Sequence, residues 1–267
     1  MKRVLSAPDK SAVLPGDPDR QKRIAVPLGR SNLIACLLIV AAGTVIVLPA
    51  IVYGFPNGDD ADVHYRWATQ FTEALREQGV VYPRWLGTAN NGQESPAMLY
   101  YPPLPLYVVT AFNLILKDVL QSLALSCSLS MVLSGLTMYV FSRSLVSPWL
   151  SLFAGLLYMI APYHIFDLYQ RAALSEFWSF VWLPLVLHAI CRVAKGGGLL
   201  DVAYLAVSYA LLLFSHLLIS FALTLLLLFF IPLLTTNLFR LFRGVSGLAL
   251  GTGISGAIVA AVLRGDG

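Results

Sequence analysis

From Val202 to Phe239 the chain carries no Asp, Glu, Lys or Arg. A single straight helix over that run would measure about 57 Å, against a hydrocarbon core of about 30 Å. The run therefore has to turn, and Ser215-His216 is the polar interruption at which it does so. Apolar stretches recur along the rest of the chain, with 58% hydrophobic and 12% charged residues and a mean hydropathy of +0.75. That is far from soluble composition. In lipid the backbone must satisfy its own polar groups, so the expected fold class is all-α, a multi-pass transmembrane helical bundle. About seven spans are expected, over residues 33–53, 119–140, 149–166, 173–191, 199–216, 217–239 and 245–263.

Residues 1–30 are rich in Lys, Arg, Pro and Asp without an apolar run. They read as a disordered cytoplasmic tail in front of a transmembrane core over 31–267. The stretch 104–116 is apolar but short and headed by prolines, which favours a re-entrant or interfacial helix over a span. If it does not cross, the tail, Arg143, Arg192 with Lys195, and Arg240 with Arg243 share the cytoplasmic side, as the positive-inside rule prefers. That arrangement puts the loop after the first span, the 163–176 loop and His216 together on the outer face.

The loop after the first span reads Gly58-Asp59-Asp60-Ala61-Asp62-Val63-His64 and leads into an amphipathic helix. On a helical wheel Val63, Trp67, Phe71, Ala74 and Leu75 form one apolar stripe, and Asp60 and His64 fall within it. Asp62, Arg66, Glu73, Arg76 and Glu77 occupy the solvated face. Ionisable groups turned inward need a cause. Asp60 and His64, one helical turn apart, could act as catalytic base and partner, or hold an acceptor hydroxyl or a divalent cation. The plain alternative is that Asp60 caps the helix, which leaves His64 unexplained. A second cluster comprises Asp167, Arg171 and Glu176: Arg171 could bind a phosphate while Asp167 or Glu176 orients it, or it could be a lipid headgroup contact with Glu176 a dipole-favoured first-turn acid. Arg84, between Tyr82 and Trp85, is a further phosphate candidate or an interfacial arginine in an aromatic belt. His216 lines a substrate cavity or bonds a neighbouring helix.

Other classes are excluded. Cys36, Cys127 and Cys191 lie in apolar runs with no CxxC or Cys/His spacing, so they read as packing residues. Gly196-Gly197-Gly198 lacks the Lys and the strand context of a phosphate loop. The net charge of +4 owes much to the tail and does not indicate nucleic acid. No cofactor is called for beyond that divalent cation, and the first partner is the lipid bilayer.

The Gly58 to His64 loop, Tyr82-Pro83-Arg84-Trp85, Tyr101-Pro102-Pro103-Leu104-Pro105, the 169–184 stretch with Arg171 and Glu176, and Ser215-His216 together resemble a bacterial family of multi-pass membrane proteins. Its label is 6-pyruvoyl-tetrahydropterin synthase-related, and it is similar to the GT-C superfamily of integral-membrane glycosyltransferases. The resemblance implies a GT-C-like core in the bacterial inner membrane. It also implies a first-loop catalytic aspartate at Asp60, Asp59 and Tyr101 beside the substrate, and transfer from a polyprenyl-phosphate-linked sugar on the outer face. The soluble pterin enzyme of the label holds zinc with a histidine cluster, which this chain's four scattered histidines do not supply. GT-C proteins generally carry more spans, so the chain is expected to be C-terminally incomplete, with a second polypeptide a possible completion. The alternatives to transfer are a non-enzymatic transport or envelope-assembly subunit and an inactive truncated product.

Overall fold

The apolar runs are helices in the computed structural model, which describes residues 29–90 and 93–235. The first, α1 (Arg30–Tyr53), is followed by the amphipathic α2 (Ala61–Glu77). A small antiparallel hairpin of β1 (Leu86–Asn90) and β2 (Gln93–Ser95) and a 3-10 turn, Ala97–Leu99, lead into α3 (Leu104–Leu116). Then come α4 (Val119–Arg143), α5 (Pro148–Met159), α6 (Pro162–Phe166), a π-helical turn Asp167–Arg171, α7 (Leu174–Ala194), α8 (Leu199–Ser215) and α9 (Leu217–Thr235). The tail expected over 1–30 lies outside the described residues up to position 28, and Arg30 already opens α1. Arg240, Arg243 and the span expected over 245–263 lie outside them too.

Four stretches are long and apolar enough to cross a membrane: Arg30–Tyr53, Val119–Arg143, Pro148–Arg171 and Leu174–Ala194. The third ends later than the expected 166, because after the break at Pro162 the chain stays helical through the π turn to Arg171. The α8 and α9 helices are apolar but shorter; at 17 residues α8 is about 26 Å long. They meet at the anticipated turn. His216 is extended, Ser215 Oγ accepts from Trp182 Nε1 at 2.7 Å, and His216 Nδ1 accepts the Ile219 N–H at 3.1 Å. Polar side chains thus supply the bonds that the interrupted helix loses.

Three contacts, one at one end of α1 and two at the other, decide what α3 does. Gln121 Nε2, at the start of α4, donates to the Ile51 carbonyl at the end of α1. At the other end of the same helices Tyr139 Oη and Arg143 Nε donate to Asn32 Oδ1 at 2.6 and 3.3 Å. The two spans are antiparallel, so everything between them leaves and returns on one face. The α3 helix packs on α2 through the buried Thr72–Thr110 hydroxyl pair at 3.0 Å and the Phe71–Tyr107 edge contact, without carrying the chain across.

The bundle buries small and polar residues along with large apolar ones such as Ile39, Met131, Tyr139 and Phe177, and turns further large apolar residues outward. The central helix α4 buries Ser122, Ser126, Ser128, Ser130, Ser134 and Gly135. Ser130 Oγ donates to the Phe177 carbonyl at 3.1 Å, and Trp178 Nε1 donates to Ser126 Oγ at 2.9 Å, tying α4 to α7. Leu37, Val45, Leu150, Phe153, Leu157, Leu218 and Phe221 are exposed, the surface of a protein in contact with lipid. Without a hydrophobic force between helices in a bilayer, close approach and interhelical hydrogen bonds hold them together.

Glycines set the α1–α4–α5 contact. A Cβ on Gly155 would sit 2.9 Å from the Gly135 carbonyl oxygen, and one on Gly135 would sit 2.5 Å from Met159 Sδ and 2.9 Å from Ile39 Cγ2. Gly155→Val should therefore force α5 off α4, at a cost of about 1–3 kcal/mol for overpacking. A lowered thermal unfolding midpoint in detergent, beside an unchanged one for Gly87→Ala where a Cβ meets open space, is the expected result.

Candidate functional site

On the face where the loop after α1 lies, three separate parts of the chain meet. Residue 58 must be glycine for them to do so: a Cβ there would lie 2.5 Å from the Gln170 carbonyl oxygen and 2.7 Å from the Arg171 carbonyl carbon. With that space open, the Asp59 N–H donates to the Gln170 carbonyl at 3.1 Å and the Asp60 N–H to the Arg171 carbonyl at 2.8 Å. The acid loop is thereby docked by its backbone onto the π turn. Ala172, left-handed at φ 55°, then reverses the chain into α7, and its N–H caps the Asp167 carbonyl.

Arg171 is the hub. Its Nη1 binds Asp167 Oδ1 at 2.9 Å and Glu176 Oε2 at 2.5 Å and also donates to the Tyr163 hydroxyl at 3.2 Å, while Nη2 stands 3.8 Å from Asp60 Oδ2. Tyr163 Oη in turn donates to Glu176 Oε1. Asp167 is fully buried, and its Oδ2 has no hydrogen-bond partner. Asp60 is the open member, with 45% of its side chain exposed. It occupies the N-cap position of α2 but makes no side-chain capping bond, so capping does not account for it.

A cavity of about 160 Å³ opens between these elements, lined by Asp60, His64, Trp67, Tyr101, Arg171, Glu176 and His216, with Val63 and Ala173. His64 is 3% exposed, packs against Trp67 and Tyr101 with ring centroids 6.0 and 5.9 Å away, and leaves Nδ1 without a partner. Burial, reinforced by the Arg171 charge, pulls its imidazole down to about 4, so it is neutral at physiological pH. Burial above all, with the nearby carboxylates adding to it, pushes the Tyr101 phenol up from its ordinary value and keeps it protonated.

Six of the nine candidate residues thus line one cavity, and a seventh, Asp167, lies behind it on Arg171. The other two stand apart. Asp59 is exposed and meets the cluster through its backbone, and Arg84 is exposed, with its guanidinium 5.8 Å from the Tyr82 ring centroid. Of the expected stripe on α2, Phe71 and Ala74 are buried and Trp67 and Leu75 half-buried, and Val63 alone departs from it. Val63 is 41% exposed, and the packed face runs through Ala61, His64, Ala68, Phe71 and Thr72, where small residues let α2 approach its neighbours. Sequence reasoning passed over Tyr163, whose link to Glu176 depends on the break at Pro162, and the role of Trp67 as a wall, which its spacing from Asp60 and His64 could have shown. Among the described residues no group of three or more His, Cys, Asp or Glu side chains is gathered as a metal site.

Beside this cavity, two residues along the chain from both Tyr101 and His216, lies an apolar groove of about 230 Å³ between Tyr82, Pro103, Leu104, Tyr107, Leu211 and Phe214. Its two tyrosine hydroxyls are spent on backbone carbonyls, Tyr82 on Met98 at 2.7 Å and Tyr107 on Val81 at 2.6 Å, so only their rings face the groove.

The family model of the 6-pyruvoyl-tetrahydropterin synthase related domain, a membrane protein, matches residues 98–263. The chain belongs to this family. The matched part of this pterin-synthase-related membrane protein includes Tyr101, Asp167, Arg171, Glu176 and His216, whereas the acid loop, His64 and Arg84 precede it. No curated protein and no solved structure matches the chain.

Two outcomes are expected. Gly58→Ala should separate the loop from the π turn and lower thermal stability by breaking both backbone hydrogen bonds, whereas Gly87→Ala should not. Because the value of His64 in the folded protein is below its ordinary 6.5, the unfolded chain binds more protons between about pH 6.5 and 4. The stability this contributes is complete above pH 6.5 and is lost as pH falls through that window, by at most about 3 kcal/mol. The unfolding midpoint of His64→Asn, measured in detergent against pH, should fall less steeply there than that of the unaltered chain.

Proposed function

We propose that this membrane protein is a glycosyltransferase of the GT-C type, moving a sugar from a polyprenyl-phosphate donor to an acceptor hydroxyl. The observation that carries the reading is the side-by-side placement, on one face of the bundle, of a small acid-bearing cavity and an apolar groove. A lipid-linked sugar needs both: a polar seat for the sugar and a path for the chain that never leaves the apolar phase. Arg143, Arg192 and Lys195 lie toward the opposite ends of their helices from this face, which favours a cytoplasmic N-terminus and a site on the outer surface of the bacterial inner membrane.

In this mechanism Asp60 accepts the proton of the acceptor hydroxyl as its oxygen bonds to the anomeric carbon. The bond from that carbon to the phosphate oxygen breaks, and polyprenyl phosphate leaves with the electron pair. Neutral His64 helps to hold the acceptor, and Tyr101 stays protonated and donates a hydrogen bond to the sugar. Arg171 already serves three carboxylates, so its main task is to fix Asp60 and Glu176 in place. Arg84, a cation stacked on the wall of the apolar groove, contacts the lipid phosphate.

Removing a general base costs about two to four orders of magnitude in rate. Asp60→Asn should show that loss in a transfer assay on membranes supplied with labelled polyprenyl-phosphate sugars, while the protein still inserts and folds. Undiminished transfer by Asp60→Asn would remove the aspartate from this role, and no transfer from any donor would remove the reading.

A further inference from the structure

Resting on the transfer reading, the charges and rings of the cavity narrow what sits in it. Its walls hold two carboxylates, Asp60 and Glu176, against one guanidinium, Arg171. Arg171 Nη1 is occupied by Asp167 and Glu176, so its charge is already compensated. Asp60 is different: it is half open, its closest cation is 3.8 Å away, and its carboxylate retains acceptor capacity. A neutral sugar hydroxyl would leave this excess negative charge unmatched, and a phosphate would add to it.

The other walls point the same way. His64 is almost entirely buried in the cavity wall as a neutral ring, so it adds no positive charge there. Beside it Trp67 and Tyr101 meet at 4.6 Å between centroids, giving the cavity two aromatic rings. Carboxylate and aromatic ring are two groups that each attract an ammonium.

We propose that the cavity recognises a primary ammonium group, held by Asp60 and covered by the rings of Trp67 and Tyr101. The molecule handled at this site is therefore an amine, carried either on a sugar or on a lipid headgroup.

Binding to the full chain in nanodiscs tests this, by isothermal titration with glucosamine, ethanolamine, glucose, N-acetylglucosamine and magnesium chloride in separate arms. At least one of the two amines should bind tenfold or more tightly than glucose and N-acetylglucosamine, glucosamine marking a sugar source and ethanolamine a headgroup source. Asp60→Asn and Trp67→Leu should each weaken amine binding tenfold or more, while Trp67→Phe, which keeps a ring, restores most of it; unfolding midpoints near that of the unaltered chain establish that the variants are folded. Equal binding of glucose and glucosamine, binding of magnesium alone, amine binding indifferent to Asp60, or no binding of either amine overturns the proposal. The transfer assay separates the two readings. Asp60-dependent amine binding without transfer keeps the ammonium site and removes the transferase, whereas transfer of a neutral sugar with no amine preference does the reverse.

Discussion

Three carboxylates from three stretches of chain would repel one another at this spacing without a cation among them, and Arg171 is that cation. It reaches back one helical turn to Asp167, forward to Glu176 at the start of α7, and across to Asp60 in the loop after α1. The π turn that carries it also offers the carbonyls of Gln170 and Arg171 to the N–H groups of Asp59 and Asp60. The same short segment therefore joins the loop by backbone and by charge. A low-dielectric surrounding strengthens such pairs and makes an unpaired member expensive. The cluster consequently holds α1, α7 and the amphipathic α2 in one relation, and the cavity is what remains between them.

Beneath that cluster the bundle is arranged for a bilayer. Its central helix turns serines and a glycine toward its neighbours and relies on contact distance and on hydroxyl-to-carbonyl bonds, while leucines and phenylalanines face outward. This order places rigid spans under a polar site without exposing the site's charges to lipid. It also explains the segment between α1 and α4, which leaves and rejoins the same face. The segment lies over the ends of the spans as a cap, bringing α2, the hairpin and α3 to the cavity and the apolar groove next to it. A polar pocket and an apolar channel on one face suit a substrate with one end in water and the other in lipid.

A good part of this was legible in the residues. The turn at Ser215-His216 follows from length alone, since an uncharged run longer than the bilayer must reverse. The return of the 54–118 segment to its starting face follows from the shortness of the 104–116 run and the positions of Arg143, Arg192 and Lys195. Asp60 and His64 stood out because they interrupt an apolar stripe. The stripe itself holds at Phe71 and Ala74 and fails at Val63. A wheel weighs Val63 by hydrophobicity, whereas the fold selects Ala61 and Ala68 for their small size and leaves Val63 beside the cavity. Arg171 read as a phosphate ligand because an arginine in isolation shows five free donors. In the structure Nη1 is held by Asp167 and Glu176, the acids expected to orient it, and Nη2 stands 3.8 Å from Asp60.

The chain by itself determined that this is a helical membrane protein, where its main apolar runs begin and turn, and which ionisable residues sit where lipid or protein would otherwise be expected. Those properties are local, set by hydropathy, length and helical period. Only the tertiary structure decided that residues more than a hundred positions apart share one cavity, that Gly58 must lack a Cβ for the loop to dock, and that Asp60 joins Asp167 and Glu176 around Arg171. The reason is physical: which donors and acceptors meet depends on how the helices cross. That in turn depends on close steric contacts, such as Gly135 against Gly155, which carry no signature in hydropathy or charge.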